Sequence, residues 1–123
     1  MSSLGELIYS REKASKEAIS KAESHTPKID APDHVKADQV FDIVISVDLH
    51  LNTIEHSIRW IDVYFSEEGH VFNPIHIARI LLEPVYIEPI VRLSMKLRKS
   101  GTLYVIAYCN LHGLWKNMKK NHC

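Results

Sequence analysis

The middle of this chain is a succession of strand-like segments with no helix-like segment between them. Over residues 41–49 apolar side chains alternate with polar ones, and only Val40 and Val44 fall on the polar side. Four later segments are rich in β-branched and aromatic residues: 56–65, 75–82, 87–97 and 102–108. Because parallel strands need long crossover connections, this succession predicts at least five strands in an all-β, antiparallel β-sandwich.

Turn and helix signals separate these strands from each other and from the N-terminus. Residues 66–69 supply a turn after the second strand, and residues 98–101 predict a hairpin turn before the last. Good helix formers over residues 4–22 predict a short amphipathic helix. Residues 23–27 are expected to form a non-helical loop, because Thr26 precedes Pro27 and is pushed toward extended conformations.

The length of 123 residues fits one domain, which we divide into an N-terminal extension (1–22), the sandwich and a tail (116–123). Hydrophobic residues make up 46% of the chain, enough to bury a core. Fifteen basic residues balance fifteen acidic ones, which argues against binding to nucleic acid. The chain has neither an apolar run of about 18 residues nor a signal-peptide core, so we expect a soluble, cytoplasmic protein.

The cysteine and histidine content favours metal chemistry over a disulfide scaffold. The two cysteines, Cys109 and Cys123, allow at most one disulfide, and Cys123 is the last residue of a polar tail that we expect to be mobile. Four glycines form no nucleotide-binding motif, whereas eight histidines are many for a chain of this length. A metal site is therefore the first kind of site to look for.

The sharpest local motif is the C-x-x-H formed by Cys109 and His112, whose thiolate and imidazole can reach one metal ion. Alone it is a weak signal, and its alternative is a buried cysteine beside a capping histidine. His50 and His56 bracket a short polar loop between two predicted strands, and loops at one end of a sandwich can converge.

A second polar loop adds two further candidate ligands. His25 lies in the segment before Pro27, and Glu23 offers a carboxylate two residues earlier. Imidazoles suit iron, copper, zinc and nickel, and one thiolate among several imidazoles is unlike the cysteine-rich shell of structural zinc. These residues alone do not choose between iron and copper, nor between an oxygen species and a hydrolytic water as the reacting group.

At these positions the sequence resembles the superoxide reductases, a family that includes neelaredoxin and the iron centre of desulfoferrodoxin. The resemblance extends from about residue 23 to residue 115. Its motifs, in chain order, are Glu23-Ser24-His25-Thr26-Pro27, similar to the family's E-K-H-x-P; His50 with Glu55-His56 and the following Ile58-Arg59-Trp60-Ile61; and Tyr108-Cys109-Asn110-Leu111-His112-Gly113-Leu114-Trp115. The last contains C-N-x-H-G-L-W and is highly specific.

The resemblance implies an immunoglobulin-like β-sandwich that holds one iron. Its implied ligands are four equatorial imidazoles and one axial thiolate, with the motif glutamate opposite the sulfur in the ferric state. On this chain the glutamate is Glu23, and Glu23 and Cys109 are the residues implied in catalysis. In sequence order the implied ligands are Glu23, His25, His50, His56, Cys109 and His112.

The implied reaction is the one-electron reduction of superoxide to hydrogen peroxide, without formation of oxygen. A thiolate ligand donates electron density and weakens the iron–oxygen bond, which favours release of peroxide. In this family an external donor, typically rubredoxin or a similar small protein, restores the electron. The chain resembles the one-iron class, which is commonly a homotetramer, because two cysteines cannot build the additional four-cysteine domain of desulfoferrodoxin.

One departure from the family pattern bears on the charge at the site. The lysine that usually precedes the first ligand histidine, and that attracts superoxide, is Ser24 here. Lys21 and Lys28 lie close by in sequence, and either can supply positive potential in its place. A second basic group, Lys116, Lys119 and Lys120, forms a short tail that is a candidate contact for an acidic donor protein.

Two other functions fit parts of the sequence. An immunoglobulin-like binding module would use the same sandwich without chemistry, but it leaves the histidine and cysteine motifs unexplained. A structural zinc site in a non-catalytic domain is chemically possible, although four imidazoles and one thiolate suit it poorly. The remaining histidines match no ligand motif, and we expect them to lie outside the site: His34, His70, His76 and His122.

Overall fold

A computed structural model of the chain describes residues 3–10, 21–47 and 50–123. The described part forms two antiparallel sheets packed face to face. In chain order the strands are β1 (Lys28–Asp30), β2 (Phe41–Ser46), β3 (Ile58–Glu67), β4 (Ile75–Leu81), β5 (Ile90–Met95), β6 (Gly101–Cys109) and β7 (Gly113–Asn121). One sheet has the order β1-β2-β5 and the other β4-β3-β6-β7. The predicted all-β, immunoglobulin-like antiparallel sandwich is confirmed.

The core lies between the sheets and is built by the apolar members of each alternating pattern. Ile43 and Ile45 of β2 face Val63 of β3 and Val105 of β6, and all four are fully buried. Strands β3 and β6 pair over nearly their whole length, from Glu67 with Gly101 to Ile58 with Cys109. This pairing brings the end of β6 to one end of the sandwich, where the cysteine closes the core.

The strands are shorter than predicted at several ends. Strand β2 stops at Ser46, and residues 48 and 49 lie outside the described part of the chain. Strand β5 begins only at Ile90, because Pro84 and Pro89 lack the N–H that a ladder position needs. The carbonyl of Pro89 instead accepts the backbone N–H of Val47 at 2.8 Å, which anchors the connection beside β2.

The prediction of a hairpin turn at residues 98–101 is wrong. Strand β5 pairs with β2 in one sheet, whereas β6 pairs with β3 and β7 in the other, so this turn carries the chain between layers. Turn composition fixes a reversal of the chain, but it does not fix which strand pairs with which. A hairpin does join β6 to β7, through residues 110–112.

The expected tail over residues 116–123 is a strand over most of its length. Strand β7 runs to Asn121 and pairs with all of β6, from Cys109 with Gly113 to Gly101 with Asn121. The sequence gives no strand signal there, because three lysines and two asparagines interrupt the apolar pattern. On its inner side the Asn117 amide donates to the carbonyl of Pro27 at 2.8 Å, and backbone pairing supplies the rest of its stability.

The N-terminal segment differs from the predicted continuous helix. Helix α1 (Leu4–Leu7) is capped by the Ser3 hydroxyl and ends at Ile8, which is extended. Tyr9 then forms a parallel bridge with Trp115 of β7. The helix prediction over residues 11–20 falls outside the described residues. No helix in the described ranges has both the length and the apolar character needed to cross a bilayer.

A second helix occupies part of the segment predicted to be a non-helical loop, so that prediction is wrong. Helix α2 (Ala22–His25) is closed by the backbone N–H of His25 on the carbonyl of Lys21, at 3.0 Å. The effect of Pro27 reaches only Thr26, which is extended with ψ of 121°. The proline therefore ends the helix without preventing it.

Candidate metal centre

Three separate segments meet at the end of the sandwich where β6 ends. Helix α2 carries His25, the connection between β2 and β3 carries His50 and His56, and the β6–β7 hairpin carries Cys109 and His112. Of these, His25, His50 and Cys109 are buried, with 3%, 7% and 0% of their surfaces exposed. The end of the sandwich thus gathers titratable side chains in its interior.

Helix α2 fixes the orientation of His25. The carbonyl of Lys21 accepts the His25 backbone N–H and also lies 2.9 Å from the ring Nδ1. The ring packs against Trp115, with 5.4 Å between centroids. Because the Trp115 side chain is itself buried against Tyr9 and Ala22, the imidazole is held from both the helix and β7.

The connection that carries His50 and His56 is closed by hydrogen bonds of its own. His50 Nδ1 lies 2.6 Å from the carbonyl of Leu51. Thr53 accepts the His56 backbone N–H on its hydroxyl at 3.0 Å, and its own N–H donates to the His56 carbonyl at 2.9 Å. Asn52 joins this loop to the β4–β5 connection, where its side chain accepts the N–H of Val85 at 2.8 Å.

The hairpin presents Cys109 and His112 from opposite sides of a tight turn. Gly113 has a φ of +83°, the left-handed region that favours glycine, and so closes the turn directly after His112. Asn110 fastens the turn to the neighbouring loop: its carbonyl oxygen accepts the N–H of Ser57 at 3.0 Å, and its amide donates to the carbonyl of Glu55 at 2.8 Å.

The potential ligand atoms converge on one small volume. His25 Nε2 lies 3.1 Å from His50 Nε2 and 3.1 Å from His112 Nδ1. Cys109 Sγ lies 3.2 Å from His50 Nε2 and 3.8 Å from His112 Nδ1. The ligand atoms of His25, His50, His56 and Cys109 all lie within 4.8 Å of one another. Five of the six residues proposed from sequence are therefore brought together.

The chemistry of these atoms fits a bound cation. Because Nδ1 of His25 and of His50 each face a backbone carbonyl, these nitrogens carry the protons and both Nε2 atoms present lone pairs. Two lone pairs 3.1 Å apart repel unless a positive ion lies between them. His56 Nε2 is buried without a hydrogen-bond partner, as a metal-directed nitrogen would be.

The spacing also fits a metal. Metal–nitrogen bonds of about 2.1 Å at right angles put two nitrogens about 3.0 Å apart, close to the 3.1 Å between the His25 and His50 nitrogens.

The surroundings keep these imidazoles neutral. Burial, followed by the neighbouring His50, lowers the pKa of His25 from 6.5 to about 4. Burial is also the main cause that lowers the pKa of His50 and of His112, and for His112 the charges of His56 and then Lys21 add to it. Neutral imidazoles are the form that binds a metal, so the lowered pKa values of His25, His50 and His112 favour metal binding near neutral pH.

Glu23 is the one proposed site residue that the structure does not bring into this group. Its side chain is exposed on α2, two residues before His25, and it is absent from the converging set. The four histidines expected outside the site do lie elsewhere: His34 stacks on His122, His70 is 3.8 Å from Glu67, and His76 is 3.4 Å from Asp62.

The two lysines suggested as substitutes for the missing family lysine occupy different places. Lys21 immediately precedes α2 and is close enough for its charge to act on His112. Lys28 lies on β1, where it is exposed and pairs in register with Ser46. The charge of Lys21 thus reaches one of the converging imidazoles, that of His112.

Sequence reasoning missed the residues that hold the loops together. The side chains of Asn52 and Thr53 bind backbone groups, Asn52 that of Val85 in the β4–β5 connection and Thr53 that of His56 in its own loop. Small polar residues between ligand positions were the available signal, since such side chains commonly hydrogen-bond to nearby backbone. Asn110 belongs to the C-N-x-H-G-L-W motif, although its hydrogen bonds to the neighbouring loop were not predicted.

Comparison with known proteins supplies the context for this site. The sequence model of the family described as "Desulfoferrodoxin" matches residues 17–118. A "Putative superoxide reductase" of Thermotoga maritima is 40% identical over 115 residues, covering 81% of this chain and 87% of that protein. A "Neelaredoxin" of Megalodesulfovibrio gigas is 37% identical over 113 residues, covering 80% of this chain and 87% of that protein.

Solved structures give the same picture. The superoxide reductase (neelaredoxin) from Ignicoccus hospitalis is 57% identical, covers 98% of both chains and superposes with a TM-score of 0.92. The structure described as a putative superoxide reductase from Thermotoga maritima is 34% identical, covers 99% of this chain and 98% of its own, and gives a TM-score of 0.83. The similarity thus extends over the sandwich and the segments that carry the converging side chains.

Proposed function

The chain belongs to the desulfoferrodoxin family, and from this and the site we propose that it reduces superoxide to hydrogen peroxide at one mononuclear iron. The observation that carries the proposal is the convergence of four imidazoles and one thiolate at the end of the sandwich. As an oxidoreductase acting on superoxide, the protein consumes one superoxide, one electron and two protons for each hydrogen peroxide formed.

The proposed ligands are the five side chains that converge: His25, His50, His56, Cys109 and His112. Iron is the metal that the family favours, and one thiolate among imidazoles suits a redox metal better than a closed structural zinc shell. When bound, the iron supplies a reversible one-electron change, and the thiolate tunes its potential. The chain itself shields the inner side of the site from water, because three of these residues are buried.

Glu23 is proposed as an additional ligand in the ferric state. Its carboxylate is outside the converging group, so ligation requires a change of its position. One observation supports the proposal: the Glu23 side chain is exposed. Residues two apart on a helix point to different sides, so ligation requires the short helix α2 itself to turn or unwind.

Lys21 is proposed to supply the positive potential that draws superoxide to the site. Superoxide is an anion, and a positive charge close to a reactive centre raises the rate of its encounter. Because Lys21 acts on His112 whereas Lys28 lies on β1, the first of the two lysines has the better position.

Each turnover needs an external electron, so we also propose a donor protein of the rubredoxin kind. Homotetramerisation and a cytoplasmic location complete the proposal. Both cysteines are free thiols in the described structure, and a reducing compartment would preserve the Cys109 thiolate as a ligand. Light scattering on the purified protein measures the assembly, and a mass other than that of four chains would contradict it.

The test of the proposed function is metal content combined with the visible spectrum and superoxide kinetics. We expect about one iron per chain, a thiolate-to-ferric band that disappears on reduction, and reoxidation by superoxide with formation of peroxide. Cys109→Ser removes the thiolate and should abolish the band. Cys123→Ser is the matched control, because that cysteine is exposed and should leave the spectrum unchanged.

Two results would contradict the proposal. Stoichiometric colourless zinc after growth in iron would favour a structural metal site in a non-catalytic module. No bound metal at all would favour an immunoglobulin-like binding module. A Cys123→Ser variant that lost the band while Cys109→Ser kept it would contradict the ligand assignment itself.

A further inference from the structure

Ser24, which stands where the family has lysine, contacts a proposed ligand directly. Its hydroxyl oxygen lies 2.8 Å from Nδ1 of His25 and 3.2 Å from the carbonyl oxygen of Lys21. The same carbonyl lies 2.9 Å from His25 Nδ1. Three polar atoms thus form a closed triangle on the side of the imidazole that faces away from the converging ligand atoms.

The positions of the protons in this triangle follow from what each atom can do. The Lys21 carbonyl only accepts, so both the Ser24 hydroxyl and the His25 Nδ1–H point toward it. The hydroxyl oxygen then presents its lone pairs to the Nδ1–H at 2.8 Å. The Nδ1–H of His25 is therefore shared between two oxygen acceptors, one from the backbone and one from Ser24.

An acceptor on the far nitrogen of an imidazole changes the metal-directed nitrogen. It fixes the tautomer and the ring orientation, and it makes the ligand a stronger electron donor. A stronger donor stabilises the more highly charged oxidation state of a bound metal, so the reduction potential falls. A lysine at this position has no hydroxyl oxygen and would leave the Lys21 carbonyl as the sole acceptor.

We infer that Ser24 is a positioning residue for His25. The Ser24 hydroxyl oxygen shares the Nδ1–H of His25 with the Lys21 carbonyl and so strengthens the imidazole as a metal ligand. The inference rests on the proposed function, because it concerns the metal held by the same site. It assigns Ser24 a role distinct from the electrostatic role of the family lysine: the hydroxyl tunes the centre, and attraction of superoxide belongs to a separate residue.

The test compares Ser24→Ala with Ser24→Thr on the full chain. Loss of the hydroxyl should lower the affinity for ferric iron about tenfold relative to ferrous iron. That change equals a rise of about 59 mV in the midpoint potential of a one-electron couple. Ser24→Thr keeps a hydroxyl at the same atom and should restore the wild-type potential.

Cobalt(II) titration gives a second readout that needs no turnover. We expect Ser24→Ala to bind cobalt about tenfold more weakly than the wild type, as measured by absorbance against a competing chelator. Ser24→Thr should bind as the wild type does. Thr26→Val is the matched control, because the neighbouring Thr26 hydroxyl is buried without a hydrogen-bond partner and its removal should change neither quantity.

Three results would overturn the inference: an unchanged potential and cobalt affinity in Ser24→Ala, equal shifts in Thr26→Val, or failure of Ser24→Thr to restore the wild-type values. A wild-type protein that binds cobalt but does not react with superoxide would contradict the proposed function alone, and the cobalt titration would still decide the role of Ser24.

Discussion

His25 shows how one residue joins the local chain to the chemistry of the site. Its Nδ1 faces the carbonyl of Lys21, its Nε2 faces His50 and His112, and its ring lies against Trp115. A histidine buried in this way is held neutral and in one tautomer, which is the form a metal needs. The same burial makes the metal-free protein sensitive to acid.

We expect metal-free protein to lose stability as the pH falls from about 6.5 to about 4. His25 has its pKa lowered to about 4 when folded, from an ordinary value of 6.5. Between these values the unfolded chain binds a proton that the folded chain does not, so acid favours unfolding. The free energy of unfolding, measured in urea across this pH range, should rise with pH through the window.

Two variants test whether His25 is the group that causes this pH dependence. His25→Gln should flatten the slope, although the lowered pKa of His50 leaves part of it. His70→Gln, in an exposed turn, should keep the wild-type slope. A slope that is the same in His25→Gln as in the wild type would show that another group carries the proton uptake.

At Lys21 the expected effect is on the rate of encounter with superoxide. Lys21→Ala removes the positive charge that acts on His112, so the second-order rate constant should fall by about threefold to tenfold. Its dependence on ionic strength should weaken in parallel, as measured by pulse radiolysis at several salt concentrations. Lys28→Ala, on β1, is the matched control and should behave like the wild type. Equal rates and equal salt dependence in the two variants would exclude this role for Lys21.

Among the elements, strand β6 has the tightest packing at a glycine, at its first residue, Gly101. A side-chain carbon at Gly101 would lie 2.2 Å from the carbonyl oxygen of Ser66 and 2.5 Å from the Phe65 ring. The backbone of β3 cannot move away from the added carbon without breaking its hydrogen bonds to the neighbouring strands. Gly101→Ala should therefore destabilise the protein by about 3 kcal/mol, at the upper end for overpacking, as measured by denaturant unfolding.

Gly5→Ala is the control for this prediction. Gly5 lies in α1, and a carbon added there meets nothing within 4 Å. Its substitution should change the free energy of unfolding by less than about 0.5 kcal/mol. Similar free energies of unfolding for the two variants would mean that the chain crosses between the sheets with more room than the structure indicates.

Some of the strands could be predicted from the sequence and others could not. Periodicity found β2, β3, β4, β5 and β6, because each carries an apolar face into the core. It missed β7, whose lysine-rich sequence is stabilised by pairing with β6, and it placed a hairpin where the chain changes sheets. Strand pairing depends on long-range contacts, which local composition does not encode.

The ligand motifs predicted the residues of the site better than the strand patterns predicted the pairing of the strands. Cys109 and the four site histidines were identified from spacing and from the family resemblance, since a metal needs particular atoms whatever the fold around it. The same reasoning proposed Glu23, which the structure leaves outside the converging group, because residues two apart on the helix α2 point to different sides. The clamps at Asn52 and Asn110 depend on loops meeting in space.

In the whole molecule, the site ties together segments that are far apart in the chain. His25 and His112 are separated by 87 positions, and His50 and Cys109 by 59. An ion held by all of them stabilises only the folded state, since the unfolded chain cannot assemble the same set. The metal should therefore contribute to global stability as well as to chemistry.

Removal of the metal should lower the melting temperature of the whole protein. At a free metal concentration about 100 times the dissociation constant, binding adds about 2.7 kcal/mol. Differential scanning calorimetry before and after treatment with a chelator measures this difference. His56→Ala, which removes a buried ligand nitrogen, should show a smaller difference, whereas His34→Ala should match the wild type. Identical melting temperatures with and without metal would contradict a site that spans the fold.

The two thiols of the chain lie at opposite ends of the sandwich, so a thiol reagent can be attached at the end away from the site. Cys109 is buried at one end of β6, whereas Cys123 is exposed beside Ser100 at the other, where its N–H donates to the Ser100 hydroxyl at 2.8 Å. Eight residue steps of β6 separate the two ends, about 26 Å. A maleimide linker should therefore attach the folded, metal-loaded protein to a gold or carbon surface through Cys123 alone, with every molecule presenting its reactive end to the solution.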